Sequence, residues 1–355
     1  MEMASLPAHV TGHDLVERVL DEFFDQARAR AGKLSPRYLS LWEILQSSAR
    51  GGKRVRPRIL LTAYAGLGGT DLEAAARAGA AFELLHTALI IHDDVIDLDF
   101  MRRGRRNVAG AYRDRAEAAG ESAEIARHRG LSAGVIAGDL ALVHAFRMLE
   151  TVETDSATRL ALTEILEDAM FASAGGELID IDFSLHPAAP PVEDILHMER
   201  LKTAVYSFEA PLRAGAVLAG VDGEVSATLG KFGRDTGIAY QVVDDLLGIF
   251  GSESATGKSS LSDLREGKRT VLIAHAAQTG VWDELSGLIG DPALGPRQAD
   301  RARELLESCG ARAFAEDLAN EYATRARSHL ECPAVPEPLR AVLCGILADA
   351  VERRS

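Results

Sequence analysis

Residues 74 to 91, AAARAGAAFELLHTALII, are apolar nearly all the way round a helical wheel. A helix without a polar face cannot lie on a surface, so this one has to run through the centre of a large helical assembly. Thr70 and Asp71 supply a cap and Glu73 an acid in the first turn, which predicts a helix over 71–98. Helical spacing of apolar residues predicts others over 12–31, 36–49, 54–67, 131–151, 155–176, 192–204, 206–220, 223–249, 262–279, 296–309, 312–330 and 336–352. The polar stretch 113–130 reads as a solvated helix or a link. No segment reads as a strand, and aromatics make up only 5% of the chain, which favours helix over strand. HPAAPP at 186–191 and IGDPALGP at 289–296 break the pattern but are too short for domain linkers. The expectation is one all-α domain over 1–355, a large single-domain helical bundle.

Charge narrows the function. The chain has 39 Lys and Arg against 53 Asp and Glu, a net charge of −14, which argues against general nucleic-acid binding. Cys309, Cys332 and Cys344 lack metal-ligand spacing and read as thiols of a reducing compartment. No apolar run approaches the ~18 residues of a membrane span. The first 30 residues carry Glu17, Asp21, Glu22 and Asp25, unlike a signal peptide. A cytoplasmic protein without a membrane span is expected.

The central helix runs into HDDVIDLDFMRRGRR, an acidic block followed by a basic one. Asp93 and Asp97 are four residues apart and share a helical face, with Asp94 beside them. Like charges so placed destabilise a bare helix. Arg102 and Arg103 can compensate them, and so can a divalent ion; Mg²⁺ typically takes one or two carboxylates together with waters and substrate phosphates. Taken alone, the run is also what a solvated acidic helix end looks like. A second pair, Asp244 and Asp245, weighs against that reading because it lies in the apolar helix AYQVVDDLLGIF, with Gln241 on the same face. Carboxylates among Val, Leu and Ile are costly to bury without a cationic partner. Acidic pairs on two helices of a bundle form metal sites.

Unusual basic positions accompany these acids. GGKRVRPR places Lys53, Arg54 and Arg56 after two glycines at a helix start, where backbone and helix dipole favour anions. Arg102 and Arg103 follow the first acidic block, Lys202 and Thr203 lie in LKTAVYSF, and Lys258 and Lys268 lie in GKSSLSDLREGKRT. Each alone reads as a surface charge; together they point to polyanion binding bridged by Mg²⁺. TGKSS at 256–260 is not a nucleotide loop, because Ser252 stands where that pattern needs glycine and no strand precedes it. His86 lies two helical turns, roughly 10 Å, from Asp93. That is too far to share an ion but suits a hydrogen bond to a second ligand group.

The sequence resembles the trans-isoprenyl diphosphate synthases, or polyprenyl synthetases. The resemblance rests on GGKRVRP (51–57), ELLHTALIIHDDVIDLDFMRRG (83–104), GD (138–139), KTA (202–204), YQVVDDLLGIFG (240–251) and GKSSLSDLREGKRT (257–270), in that order across most of the chain. It implies helices packed around a deep central cavity, a homodimer, and three Mg²⁺ per active site. It assigns Asp93, Asp94, Asp97, Asp244 and Asp245 to the metal. Lys53, Arg56, His86 and Arg103 fall to isopentenyl diphosphate. Arg102, Lys202, Thr203, Gln241, Lys258 and Lys268 fall to the allylic diphosphate, with Lys202 also catalytic. Gly248 departs from the family pattern by replacing the third aspartate of the second DDxxD, which bears on how tightly the third ion is held. Ala88 and Leu89, just before the first motif, occupy the positions that set product length. Neither is an aromatic that would stop growth at fifteen carbons, so geranylgeranyl diphosphate is the expected product. The alternatives are a synthase of another chain length, C15 or C25 and longer, and a class I terpene cyclase. A non-catalytic partner subunit would have lost an acidic motif, and this chain keeps both pairs.

Overall fold

The structure is a computed structural model that describes residues 8–186, 188–251 and 262–352; these are helical apart from one two-stranded ribbon. The chain gathers into two compact units, Met1–Leu166 with Arg213–Asp222, and Glu167–Leu212 with Gly223–Ser355.

The first unit holds α1 (Ala8–Gly32), α2 (Pro36–Ala49), α3 (Val55–Gly66), α4 (Leu72–Ile96), the strands β1 (Met101–Arg102) and β2 (Arg105–Arg106), α5 (Val108–Ala118), α6 (Ala123–Glu150) and the first turns of α7 (Ser156–Leu185). The all-round apolar helix is α4, packed against α1, α3 and α6. Ala75, Ala80, Phe82, Leu85 and Ala88 are fully buried. Asp71 caps it as expected, its Oδ1 accepting from the Ala74 amide at 3.0 Å. Helix α6 comes close because it presents glycines. A Cβ on Gly134 would stand 2.4 Å from Val95 Cγ2, and one on Gly138 2.2 Å from His92 Nε2.

Helix α4 stops abruptly at its acidic end. Leu98 takes a left-handed conformation at φ 59°. The Asp99 amide donates to the Asp94 carbonyl at 2.8 Å and the Leu98 amide to the Val95 carbonyl at 3.4 Å, the two bonds of a Schellman stop. That position favours glycine, and a side chain there costs about 1–2 kcal/mol. The ribbon that follows pairs Arg102 with Arg105 across Arg103 (φ 52°) and Gly104 (φ 70°). Positive φ at both central residues is the type I′ geometry of two-residue hairpins. Strands of two residues leave no alternation to read, so the sequence pattern does not reveal them.

The second unit contains the rest of α7, α8 (Val192–Glu199), a π-helical segment (Arg200–Glu209), the start of α9 (Ala210–Leu218), α10 (Gly223–Phe250), α11 (Ser262–Glu266), α12 (Val271–Ala276), α13 (Trp282–Leu285), α14 (Pro296–Ser308), α15 (Ala311–His329) and α16 (Glu337–Val351). Its core gathers Ile195, Ile238, Val242, Leu272, Leu306 and Ala315. The π segment is held between close-approaching helices. A Cβ on Gly176 of α7 would meet the Lys202 backbone nitrogen at 2.3 Å, and one on Gly237 of α10 would meet Ala204 Cβ at 2.6 Å.

Several boundaries differ from the sequence reading. The polar stretch 113–130 is two helices, and α6 opens under the Ser122 cap, whose Oγ accepts from the Ile125 amide at 3.3 Å. Helix α7 runs on to Leu185. The predicted helices 192–204 and 206–220 are continuous through the π segment, and 262–279 is broken at Gly267, φ 72°. Two windows also reach span-like hydropathy, 1.3 over 18 residues, in Leu72–Ile96 and Ala123–Glu150. Looking for uninterrupted apolar runs passes over windows that contain a charge or two. The α4 window is 78% buried within the protein and the α6 window 39%, so α4 is a core helix and α6 keeps an uncovered apolar face.

The glycine contacts separate two neighbours on α7. Glycine to alanine inside a helix ordinarily stabilises by up to about 1 kcal/mol. A Cβ on Gly175 would meet nothing within 4 Å, so Gly175→Ala is expected to be neutral or stabilising. Gly176→Ala must push the Lys202 backbone and should lose about 1–3 kcal/mol. Urea denaturation of both variants checks the difference in sign.

Candidate active site

In the first unit the acidic end of α4 is gripped by the hairpin. Arg102 Nε donates to Asp94 Oδ1 at 2.7 Å and its Nη2 to Asp93 Oδ2 at 3.0 Å. Asp94 is buried, and burial against the neighbouring Asp93 pushes its carboxyl up to about 6 despite the guanidinium. Asp97, at the helix end, is exposed. The hairpin is anchored from below. Asn107 caps α5 through the Gly110 amide at 2.8 Å, and its Nδ2 donates to the Asp99 carbonyl at 2.8 Å. On α6, Asp139 of the GD pair lies 3.4 Å from His92 Nε2.

The hairpin turn aims Arg103 elsewhere. A Cβ on Gly52 would stand 3.1 Å from Arg103 Nη1, so the guanidinium lies close against the backbone beside Lys53. Gly52 itself has φ 89°. His86 is held well below the usual histidine range, first by burial and then by Arg56 and Arg103. It is therefore neutral at pH 7, able to donate one hydrogen bond and accept another. Lys53 is exposed and Arg56 half-buried. The four residues assigned to isopentenyl diphosphate thus gather in one place. Arg54, the remaining cation of that stretch, is structural. It is buried with φ 45°, and it donates to Glu17, to Glu83 Oε1 at 2.8 Å and to the Ala49 carbonyl at 2.8 Å. Leu89 is half-buried and, with His86 and Asp93, follows the three- and four-residue spacing of one α4 face. Ala88 is fully enclosed.

In the second unit Asp245 is buried on α10 and Asp244 exposed. Gln241 Nε2 donates to Asp245 Oδ1 at 3.0 Å, the expected one-turn contact. Burial pushes the Asp245 carboxyl up to about 7, aided by Asp263 and Asp244 and opposed by Glu199 and Gln241. Glu199, at the end of α8, is also buried and held well above the carboxylate range by burial and by Asp245. The two carboxyls share a side-chain hydrogen bond. Lys202 is carried on the π segment, a geometry frequent at functional sites. Its Nζ contacts Asp180 Oδ2 at 2.7 Å and Glu177 Oε2 at 3.0 Å. Thr203 follows on the same segment. Lys268 Nζ lies 3.3 Å from Glu266 and 3.8 Å from Asp263. Lys258 lies outside the described residues.

Glu199, Glu177, Asp180 and Asp263 escaped the sequence reading. Glu177 and Asp180 carry a signal, being acids three apart just after Gly175 and Gly176. Asp263 lies within the 257–270 stretch that carries the resemblance, whereas Glu199 carries no signal, because only the packing of its helix brings it to Asp245.

The comparisons with known proteins agree with this geometry. The polyprenyl synthetase family model matches residues 40–305. The chain belongs to the polyprenyl synthetase family. It is 35% identical over 310 residues to geranylfarnesyl diphosphate synthase of Aeropyrum pernix, covering 85% of this chain and 91% of that one. It is 34% identical over 260 residues to geranylgeranyl diphosphate synthase of Sulfolobus acidocaldarius, covering 73% and 72%. Geranylgeranyl pyrophosphate synthase of Corynebacterium glutamicum, solved with isoprenyl diphosphate and magnesium, superposes with a TM-score of 0.89 at 30% identity, over 98% of this chain and 100% of that one. Polyprenyl synthases are trans-prenyltransferases with an all-α fold, and this chain is one of them.

The residues fit magnesium. Every acid of the two motifs is a hard oxygen donor, and burial holds the carboxyls of Asp245 and Glu199 above the usual range, a cost of ionising that a bound cation would offset. Among the described residues no three His, Cys, Asp or Glu are already gathered as a closed cage. A cage is not what Mg²⁺ requires, since one or two carboxylates with waters and phosphate oxygens complete its shell.

The raised carboxyl of Asp245 sets the sign of a pH effect. Its folded value lies above its unfolded one, so the stability it contributes is fully present below about pH 4 and is lost as pH rises through about 7. In chelator, Asp245→Asn should melt a few degrees above the native chain at pH 8, with the gap closing by pH 5. With saturating Mg²⁺ the order at pH 8 should reverse. Thermal melts at both pH values check it.

Proposed function

We propose that this chain is a Mg²⁺-dependent synthase that joins isopentenyl diphosphate to an allylic diphosphate, with geranylgeranyl diphosphate as product. The observation that carries the reading is the cationic cluster of Lys53, Arg56, His86 and Arg103, which is separate in the first unit from the acids that Arg102 grips. A class I terpene cyclase ionises one diphosphate and has no use for a second diphosphate site.

In this mechanism Mg²⁺ supplies charge neutralisation on the departing diphosphate. Lys202 and Lys268 donate to that diphosphate as the allylic C–O bond breaks and negative charge grows on the bridging oxygen. Lys53, Arg56 and Arg103 hold isopentenyl diphosphate so that its double bond faces the cation. The terminal alkene carbon bonds to the allylic carbon, which leaves a tertiary cation on the methyl-bearing carbon, and the CH₂ beyond that cation loses one proton to the released diphosphate as the new double bond forms. The apolar residues of α4 below Asp93 exclude water, which would otherwise capture the cation. We also propose a cytoplasmic homodimer in which one domain spans the whole chain. On α7, Phe171, Leu178 and Leu185 are exposed at seven-residue spacing, and α6 exposes Ile125, Ile136 and Val143; these stripes suit contact with a second copy.

Lys53→Ala and Arg56→Ala should raise KM for isopentenyl diphosphate about 10- to 150-fold, the loss of one charge-assisted hydrogen bond, with a smaller effect on the allylic substrate. Lys202→Ala should do the reverse. Steady-state kinetics varying each substrate in turn would refute the two-site reading if all three variants affected both substrates equally.

Product length tests the other half. Ala88 sits five residues before Asp93, about 7.5 Å along the helix. Incubated with Mg²⁺, isopentenyl diphosphate and farnesyl diphosphate, the native chain should yield mainly C20. Ala88→Phe should shift the product toward C15, because the ring fills space that the fourth isoprene unit needs. Chromatography of dephosphorylated products decides, and native C15 or an unchanged variant profile would overturn the assignment.

A further inference from the structure

Between α2 and α3 the chain turns through left-handed backbone at Gly51, Gly52 and Arg54, with φ 81°, 89° and 45°. The glycines adopt it freely. For a residue with a side chain that region costs about 1–2 kcal/mol. Strain of this kind persists only where surrounding contacts over-determine it, and Arg54 has such contacts.

They come from three helices. The guanidinium donates through Nε and Nη2 to the two carboxylate oxygens of Glu17 on α1, the Nη2 bond measuring 3.2 Å. Through Nη1 it donates to Glu83 Oε1 on α4 and to the Ala49 carbonyl at the end of α2, both at 2.8 Å. The Arg54 side chain is 3% exposed. A guanidinium so enclosed and so occupied cannot meet a diphosphate arriving from solvent. What it can do is fix the backbone on which Lys53 stands. Lys53 lies between Gly52, against which the Arg103 guanidinium rests, and the clamped Arg54. Glu83 stands three residues before His86 on the same face of α4, so the acid that grips Arg54 also ties the Lys53 segment to the helix carrying His86.

We infer that Arg54 is a positioning residue: with Glu17 and Glu83 it holds Lys53 where the isopentenyl diphosphate headgroup is met, without touching that headgroup itself. This role rests on the two-diphosphate reading of the site. A third glycine at 54 would adopt the same φ but would leave the lysine backbone free to move. A strained arginine gripped by two acids does not.

Steady-state kinetics of the full chain with Mg²⁺ tests it, varying isopentenyl diphosphate against saturating farnesyl diphosphate and then the reverse. Lysine keeps one charge but lacks the planar fork, so it cannot serve Glu17, Glu83 and Ala49 together. Arg54→Lys should raise KM for isopentenyl diphosphate about tenfold, the lower end of losing one charge-assisted hydrogen bond. KM for farnesyl diphosphate and kcat should stay within about twofold, since the lost binding is common to ground and transition states. Glu17→Gln loosens the same grip from a half-buried partner and should act in the same direction; it carries the test if Arg54→Lys does not fold. In a Lys53→Ala background, Arg54→Lys should add less than about threefold, because the group it positions is gone. Asp71→Ala removes the α4 cap and lowers Tm, and should leave the ratio of the two KM values unchanged. The positioning role is overturned by a native KM for isopentenyl diphosphate in the folded variants, by an equal rise for both substrates, or by Arg54→Lys and Lys53→Ala effects that multiply in full. An unchanged KM in Lys53→Ala would overturn the two-diphosphate reading and this role with it.

Discussion

Carboxyl groups placed inside apolar helices are the constraint on which the rest of this structure depends. Asp94 and Asp245 are buried on α4 and α10, and burial pushes them up to about 6 and about 7. A helix designed only to pack would not tolerate them, because an uncompensated buried charge costs several kcal/mol. Each is met by a partial remedy within the protein. Arg102 bridges Asp93 and Asp94, while Gln241 donates to Asp245, which also shares a hydrogen bond with Glu199. A cation bound beside Asp245 would lower that cost, which is what the proposed metal–diphosphate complex would supply.

Backbone geometry serves the same end. The left-handed Leu98 ends α4 just past Asp97, and the tight turn at Arg103 and Gly104 sends two successive arginines in different directions. Arg102 turns back to the acids, and Arg103 reaches over Gly52 to the Lys53 segment. One hairpin thereby divides positive charge between the acidic cluster and the cationic one. In the second unit the π segment performs a comparable task. Clasped by Gly176 and Gly237, it sets Lys202 against Glu177 and Asp180, which hold the ammonium in place.

Those acids also show where sequence reading loses its grip. Helical period reveals α4 and α10 because each buries side chains from its own sequence neighbours. The same logic finds Asp93, Asp94, Asp97, Asp244 and Asp245, since charged residues in an apolar run announce themselves. It misreads Arg54 as a ligand-facing cation, because Glu17 and Glu83, which neutralise it, lie 37 and 29 residues away. It misses Glu199 for the same reason: an acid at a helix end looks ordinary until another helix covers it.

By itself, the sequence determined the all-helical class, the central position of α4, the two acidic motifs and the family. All of these rest on interactions between residues a few positions apart, where spacing equals geometry. Only the tertiary structure decided that Arg102 belongs to the acids and Arg103 to Gly52, that the KTA motif lies on a π segment, and that Arg54 is enclosed by Glu17 and Glu83. Those contacts join residues distant in the chain, and their geometry is set by how closely helices approach, which glycines such as Gly176 and Gly237 permit and no local pattern records.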